Sequence, residues 1–520
     1  MNKKEPASPL IWQPVLAWLQ LKIAEHRIPL FSAMLFGFLA HGFAFSNKLI
    51  NHDDVSALFM KGGTVTSGRW GLGALDSIFP NYSMPWIYGI LAIVIMAAAI
   101  CCIVRIFDIR NKLLQGLLAG LIITFPSLTG LFGYMFTTSS YAVSFLLAVL
   151  SVWLITKPKL RYGIPALMCM VLSLSIYQSY ISISASMLVL CLIRQLLQGE
   201  HFLAVLRRGI YYVTFLILAL IGYYIATQIV FLITGTTFGV YAEGSITLSA
   251  SSLLSGVGLA YENFSQFFTE SLHGLIPTSL SRMLHGAALA VSVLLLLLRL
   301  LDKQKREPLA IVLLLVLIGI LPLAINCMYL ITASDAIHTL VLYSFITVYL
   351  LMAVLADDFL AGLELSGIRA AIRTLSLNVL TILLAVIIVC NTYIANEAYL
   401  NLHLRYENAY AFCTTLLSDL RQQSDFTEDT KIALIGDYQD PAYYEEKFWH
   451  TDLITGVHGF LPDSYSMDRF LEYYMGFPLP MATPEEIAQI QQSPEFKAMA
   501  VYPYYGSMQM IDGFFIVKFS

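Results

Sequence analysis

Charge is what this sequence has least of. Only 12% of its 520 residues are Asp, Glu, Lys or Arg, about half the share usual in a soluble protein. With 58% apolar residues and a mean hydropathy of +0.72, that deficit excludes an ordinary cytosolic enzyme and a nucleic-acid binder. Cysteine is scarce as well: seven in all, an odd number, six of them (Cys101, Cys102, Cys169, Cys191, Cys327 and Cys390) inside apolar runs. They read as small core residues, and no disulfide is expected. No glycine-rich phosphate loop, no zinc spacing of Cys and His, and no acidic motif suited to a nucleotide sugar occurs, so no cofactor is required. What remains is a polytopic α-helical membrane protein.

A helix crosses the bilayer with about 20 apolar residues. Stretches of that kind are 28–46, 85–104, 113–133, 141–156, 162–176, 181–193, 210–233, 283–298, 309–330, 339–356 and 375–394. Counting 162–193 as a hairpin around Tyr177–Tyr180 gives eleven spans and a cytoplasmic amino terminus. The cytoplasmic segments then hold 19 of the 30 Lys and Arg and the opposite loops four, Lys48, Lys61, Arg69 and Arg282. A single crossing there would turn every later basic loop outward, against the positive-inside bias. No cleavable signal is read at the start, and the first span is expected to act as a signal anchor. Residues 1–27 form a cytoplasmic amphipathic segment in which Ile11, Trp12, Val15, Leu16, Trp18 and Leu19 lie at the membrane surface.

Residues 395–520 differ in kind, with 18 acidic and seven basic residues and 12 of the 29 tyrosines. A helix near Tyr399–Leu420, a strand Lys431–Gly436, a capped helix start at Thr483-Pro484-Glu485-Glu486 and a strand Phe514–Phe519 predict a mixed α/β domain. Parity places it outside the cytoplasm, and its net charge of −11 argues against polyanionic partners such as nucleic acid.

The costly polar residues collect in the outer loops, chiefly 47–84 and 235–282. The first reads Asn51-His52-Asp53-Asp54 and then Ser67-Gly68-Arg69-Trp70. Adjacent carboxylates at a poorly hydrated boundary face a cavity, a metal or a cation; the plainer alternative is a solvated loop in which Asp53 or Asp54 caps a helix over Val55–Met60. Arg69 offers a fork for a phosphate. Trp70 suits either sugar stacking or the interfacial belt, and Tyr177-Gln178-Ser179-Tyr180 either a hydrogen-bonded turn or a cavity lining. Asp335 and His338, three apart, are able to share a helical face. Glu243, Glu262, Glu270 and His273 accompany Phe264, Phe267, Phe268 and Leu272 at helical spacing, the pattern of an interfacial amphipathic helix whose acids form its wet side. The paired carboxylates permit a divalent cation, but no complete ligand set is legible.

The order of these motifs, continued by Phe125-Pro126 and the Tyr134–Ser140 turn, resembles the GtrII-type glucosyltransferases of bacteria, a branch of the GT-C membrane glycosyltransferases. The resemblance covers most of 28–394 and no motif in 395–520. It implies a GT-C-like membrane domain that moves a hexose, usually glucose, from a polyprenyl-phosphate donor to a hydroxyl of a surface or lipid-linked polysaccharide such as O-antigen. The place is the outer face of the bacterial inner membrane, and a donor synthase and a flippase are needed besides. It implies Asp53 or Asp54 as the catalytic carboxylate, with Asp53 preferred as base. Arg69 is the first choice at the donor phosphate, with Arg282 and His338 in reserve, and Trp70, Tyr177, Gln178, Tyr180 and Asp335 at the sugars. Direct displacement inverts the anomeric centre. The carboxy-terminal tyrosines Tyr443, Tyr444, Tyr473, Tyr474, Tyr504 and Tyr505 are candidates for contact with acceptor sugar rings. A polysaccharide polymerase or ligase is the nearest alternative and wants more outer-loop arginines. A lipid or solute transporter wants ionisable residues within the spans and an internal repeat, and neither is legible.

Overall fold

The computed structural model describes residues 12, 20, 21, 23–59, 64–78, 83–239, 250–300, 307–332, 337–360, 367–436, 446–456 and 466–520. The proposed surface helix before residue 20, apart from Trp12, and Asp335, Glu243, Tyr443 and Tyr444 lie outside the described residues. The chain runs α1 (Arg27–Ser46), α2 (His52–Ala57), α3 (Trp70–Asp76), α4 (Pro85–Ile106), α5 (Lys112–Thr124), α6 (Pro126–Gly133), α7 (Met135–Ile155), α8 (Gly163–Ile176), α9 (Ile181–Leu197) and α10 (Phe202–Thr234). There follow α11 (Ala250–Thr269), α12 (Ser279–Leu300), α13 (Pro308–Ile325), α14 (Ile346–Leu360) and α15 (Ile368–Gln422). Among the described residues nine helices are long and apolar enough to cross a membrane, or ten if the bent pair α5–α6 is one span, and the helix over Leu160–Ile176 is shorter.

The bend follows from the sequence. Proline disfavours the helical region for the residue before it, so Phe125 is extended (φ −62°, ψ 136°) and α6 leaves α5 at 43°. Helix association in a bilayer gains little from hydrophobic transfer and rests on close packing. Accordingly α1 turns Ala33, Gly37, Ala40 and Ala44 inward and Phe31, Phe38 and Leu39 outward. A side chain at Gly89 would overlap the Phe45 ring, so only glycine lets α4 approach α1 there.

Contacts to α7 give the direction of the next two helices. Ser144 and Ser173 each donate to the other's carbonyl, at 2.9 and 2.8 Å, and Ser151 Oγ lies 3.6 Å from Met170 Sδ, so α8 runs antiparallel to α7. Tyr180 packs on Phe145 with ring centroids 5.8 Å apart and Ser184 donates to the Ala148 carbonyl at 3.2 Å, so α9 runs parallel to it. The chain therefore reverses at Tyr177–Tyr180.

One end of the bundle is basic. Arg105 and Lys157 flank the Trp153 ring, Arg194 pairs with Asp358 at 3.3 Å, and buried Asp357 accepts the Arg110 and Asn111 amides at 3.0 and 2.8 Å, holding the entry to α5. The other end carries α2, α3, the α6–α7 junction and the Tyr177–Tyr180 reversal.

Helix α15 is 55 residues long, about 80 Å, where the sequence predicts a span ending near 394 and a separate helix after it. Nothing between Cys390 and Tyr399 breaks a helix, so the two run together. Beyond it β1 (Ile432–Ile435), α16 (Pro484–Ile490), α17 (Pro494–Ala498), β2 (Met508–Ile511) and β3 (Phe514–Lys518) follow. The sheet order is β1-β3-β2, with β1 parallel and β2 antiparallel to β3. Thr483 and Glu486 form the anticipated capping box. Asp512-Gly513, both with positive φ, turn the β2–β3 hairpin.

Candidate functional site

Helix α2 is held by a residue other than the one anticipated. Asn51, extended at φ −106° and ψ 177°, is its cap. Its Oδ1 accepts the amides of Asp53 and Asp54, each at 3.0 Å, and its Nδ2 donates to the Gly133 carbonyl at 2.7 Å. Neither aspartate is the N-cap; both lie in the first turn, where the helix dipole favours negative charge, and their side chains are left for other work. One asparagine thus ties the acidic turn to the end of the bent α5–α6 pair.

The two carboxylates have different surroundings. The Asp53 side chain is partly exposed, with His52 Nε2 at 3.7 Å. Asp54 is 2% exposed; Ser83 Oγ donates to its Oδ1, while Oδ2 is buried with no hydrogen-bond partner among the described residues. Burial raises the Asp54 pKa to about 7 and Asp53 adds to this, against the Ser83 and Asn51 hydrogen bonds and the Lys48 charge. Lys48 Nζ in turn lies 4.6 Å from the centre of the Tyr474 ring.

Gln178 and two tyrosines hold Arg69. Its Nε donates to Gln178 Oε1 at 3.3 Å and its Nη1 to the Tyr141 hydroxyl at 3.2 Å. The guanidinium carbon is 5.4 Å from the centre of the Tyr177 ring, which stacks on Tyr141 at 4.4 Å and meets Tyr180 edge-on at 5.0 Å. Gln178 Nε2 donates to the Ser67 carbonyl at 3.1 Å and to the Tyr223 hydroxyl at 3.0 Å, and Tyr223 donates to the Gly68 carbonyl at 3.0 Å. Gly68 has φ +73°, and a Cβ there would stand 2.5 Å from the Tyr223 oxygen, so the turn that aims Arg69 requires glycine. Trp70 Nε1 donates to Thr227 Oγ1 at 3.2 Å, pinning α3 to α10.

A tyrosine wall joins the halves. The Tyr134 hydroxyl is driven above its ordinary range by burial, and then by Asp53, by the neighbouring Tyr141 and Tyr177 and by Asp54. Asp53 and Arg69 both lie within electrostatic reach of Tyr141. The structure thus gathers Asp53, Asp54, Arg69, Tyr177, Gln178 and Tyr180 around Tyr134 and Tyr141, with Trp70 alongside.

Two expectations fare differently. Arg282 Nη1 donates to the carbonyls of Ile276 and Pro277 at 3.3 and 3.1 Å, and none of its hydrogen bonds among the described residues reaches the Arg69 cluster. His338 is extended (φ −141°, ψ 175°), not helical. It precedes Thr339, whose hydroxyl donates to the His273 carbonyl at 2.6 Å and accepts the Thr455 amide at 3.1 Å. The Phe264 and Phe267 face of α11 packs inside the molecule, with Phe267 stacked on Phe345 at 4.3 Å, while Glu262 and Glu270 stay exposed. Among the described residues no group of three or more His, Cys, Asp or Glu is arranged to hold a metal ion.

Sequence reasoning missed several participants. Tyr141 sits within an apolar run, and Asn51 and Ser83 look like ordinary loop residues. Asp76 lies in the same segment between α1 and α4 and within electrostatic reach of Tyr141; its place two turns after Arg69 was the available signal. The carboxy-terminal contacts had none: Arg469 Nη1 donates to Ser56 Oγ of α2 at 2.8 Å, and Tyr473 meets Phe59 edge-on at 5.1 Å.

Long apolar helices carrying a polar, tyrosine-rich cluster at one end define a polytopic helical membrane protein. The chain belongs to the glucosyl transferase GtrII family, whose sequence model matches residues 42–355, from the second half of α1 into α14. It is therefore a sugar-transferring enzyme, with a sugar donor and an acceptor. No curated protein and no solved structure matches the chain.

Proposed function

We propose that the protein moves glucose from a polyprenyl-phosphate donor to a hydroxyl of a surface or lipid-linked glycan, such as O-antigen, at the outer face of a bacterial inner membrane. The observation that carries this reading is the meeting of the Asp53–Asp54 turn and Arg69 at one tyrosine wall, within the family-matched region. Asp53, partly exposed, takes the proton of the attacking acceptor hydroxyl, a role that contributes typically 100- to 10,000-fold. Arg69 receives the charge that develops on the departing lipid phosphate. Its supports, Gln178, Tyr141 and the Tyr177 face, fix the guanidinium before the reaction, so no reorganisation is needed as the charge forms. Attack opposite the leaving phosphate inverts the anomeric centre. The polyprenyl tail stays among lipid-facing side chains, each buried methylene worth about 0.8 kcal/mol, and only the sugar phosphate enters the mouth.

The deciding experiment incubates purified protein with polyprenyl-phosphate-glucose and glycan-bearing membranes and follows the products by mass. Glucose added to the glycan with release of polyprenyl phosphate is the expected result. Use of a lipid-diphosphate glycan in its place would move the protein to the polymerase or ligase class.

A further inference from the structure

Resting on that reading, we propose that the acceptor sugar is gripped between the family-matched first loop and the carboxy-terminal segment 467–474, with one acceptor hydroxyl held by Asp54 Oδ2 and the Tyr474 hydroxyl. Both atoms are buried without a hydrogen-bond partner among the described residues. A buried polar atom left unmade costs about 1–3 kcal/mol, and two such atoms close enough to influence each other mark a place that something polar fills. The Tyr474 hydroxyl is held above its ordinary range by burial first and by Asp54 second, which puts the two within electrostatic reach. Lys48 closes one side, its ammonium against the Tyr474 ring, and Ser83 occupies the other carboxylate oxygen of Asp54, leaving Oδ2 for the ligand.

Segment 467–474 is built to stay there. Arg469 bonds to Ser56 on α2, Tyr473 packs on Phe59, and Tyr474 stacks on Phe470 at 5.5 Å between ring centres, with Phe470 itself fully buried. A neutral, polyhydroxylated ligand suits a hydroxyl, a carboxyl and a ring face together; a second phosphate would meet Asp54. Asp53 and Asp54 then divide the work, Asp53 deprotonating the attacking acceptor hydroxyl beside the Arg69 wall, Asp54 holding a second hydroxyl of the same acceptor sugar. Because 467–474 lies outside the family-matched 42–355, the acceptor is chosen by a part of the chain that the family pattern does not cover.

The test titrates glycan-bearing membranes from cells lacking this protein into purified protein with labelled polyprenyl-phosphate-glucose. Tyr474→Phe should raise the half-saturating amount of acceptor membranes about three- to tenfold, the range of one neutral hydrogen bond, with the loss falling on acceptor rather than donor KM. Ser56→Ala, which removes the Arg469 bond to α2, should shift the same parameter in the same direction. Tyr474→Phe removes no hydrogen bond between described residues, so a purely structural role predicts an unmoved acceptor titration, and that result overturns the inference. A larger effect on donor KM overturns it too. Wild-type protein that leaves the donor intact instead sinks the donor assignment beneath it.

Discussion

Asp53 and Asp54 are sequence neighbours separated by their surroundings, and single substitutions should separate them in function. Asp53→Asn keeps the shape and the Asn51 cap but removes the proposed base, so glucose transfer should fall by about 100- to 10,000-fold with the protein still extractable and monodisperse; near-wild-type turnover would take Asp53 out of the mechanism. Asp54 should reveal itself through pH. The unfolded carboxyl releases its proton near 3.8 and the folded one near 7. Between those values the folded state binds the extra proton, so stability declines as pH rises through that window, by at most about 1.4 kcal/mol per unit. Melting temperature in detergent should therefore drop from about pH 5 to pH 7, and Asp54→Asn should flatten that slope; a wild-type curve that climbs across the window contradicts the burial of Asp54. Arg69→Ala should raise donor KM about ten- to a hundredfold, the scale of a charged hydrogen bond, with little change in acceptor titration.

At the scale of elements, what the sequence shows depends on how local the cause is. The Thr483 cap and the strands around Ile432–Ile435 and Phe514–Lys518 were legible because each is written in a few adjacent residues, whereas the bend at Phe125-Pro126 falls inside the stretch 113–133 that reads as one span. The Asp53–Asp54 turn was visible, but its cap was misassigned, since Asn51 is selected by a carbonyl 82 positions away, at Gly133. The unbroken α15 was missed because a change from apolar to polar composition looks like a boundary even where no residue stops the helix. The Arg69 turn has the most exacting local requirement. Gly68→Ala would place a β-carbon in a left-handed backbone, at a cost of about 1–2 kcal/mol, and drive it against the Tyr223 hydroxyl. Its effect should fall on donor use far more than on melting temperature, and should exceed that of Tyr223→Phe, which removes the hydroxyl's bonds to Gln178 and Gly68 but creates no clash. Equal donor KM values for the two variants would show that the turn does not aim Arg69.

Across the whole molecule the polar groups sort by end. Arg105, Lys157, Arg194 and their partners gather at one end; α2, α3 and the tyrosine wall occupy the other, and the carboxy-terminal region closes on that second end. Buried Arg405, bound to Asp452 at 2.9 and 3.0 Å and to Asn401 at 2.9 Å, ties the neighbouring turn to α15, and the Thr455 carbonyl of that turn packs against Gly130 of α6. The positive-inside bias favours a cytoplasmic basic end, and the proposed reaction then requires the Asp53–Arg69 end and the carboxy-terminal region on the outer face. Ser77 and Ser424 are exposed on the outer side of this assignment and Lys159 on the inner. Ser77→Cys and Ser424→Cys, each in a background with the seven native cysteines replaced, should react with a membrane-impermeant maleimide on intact spheroplasts. Lys159→Cys should react only after permeabilisation. The inverse pattern would put Asp53 and Arg69 on the side of the membrane where nucleotide sugars are abundant, and a lipid-linked donor would lose its physical rationale.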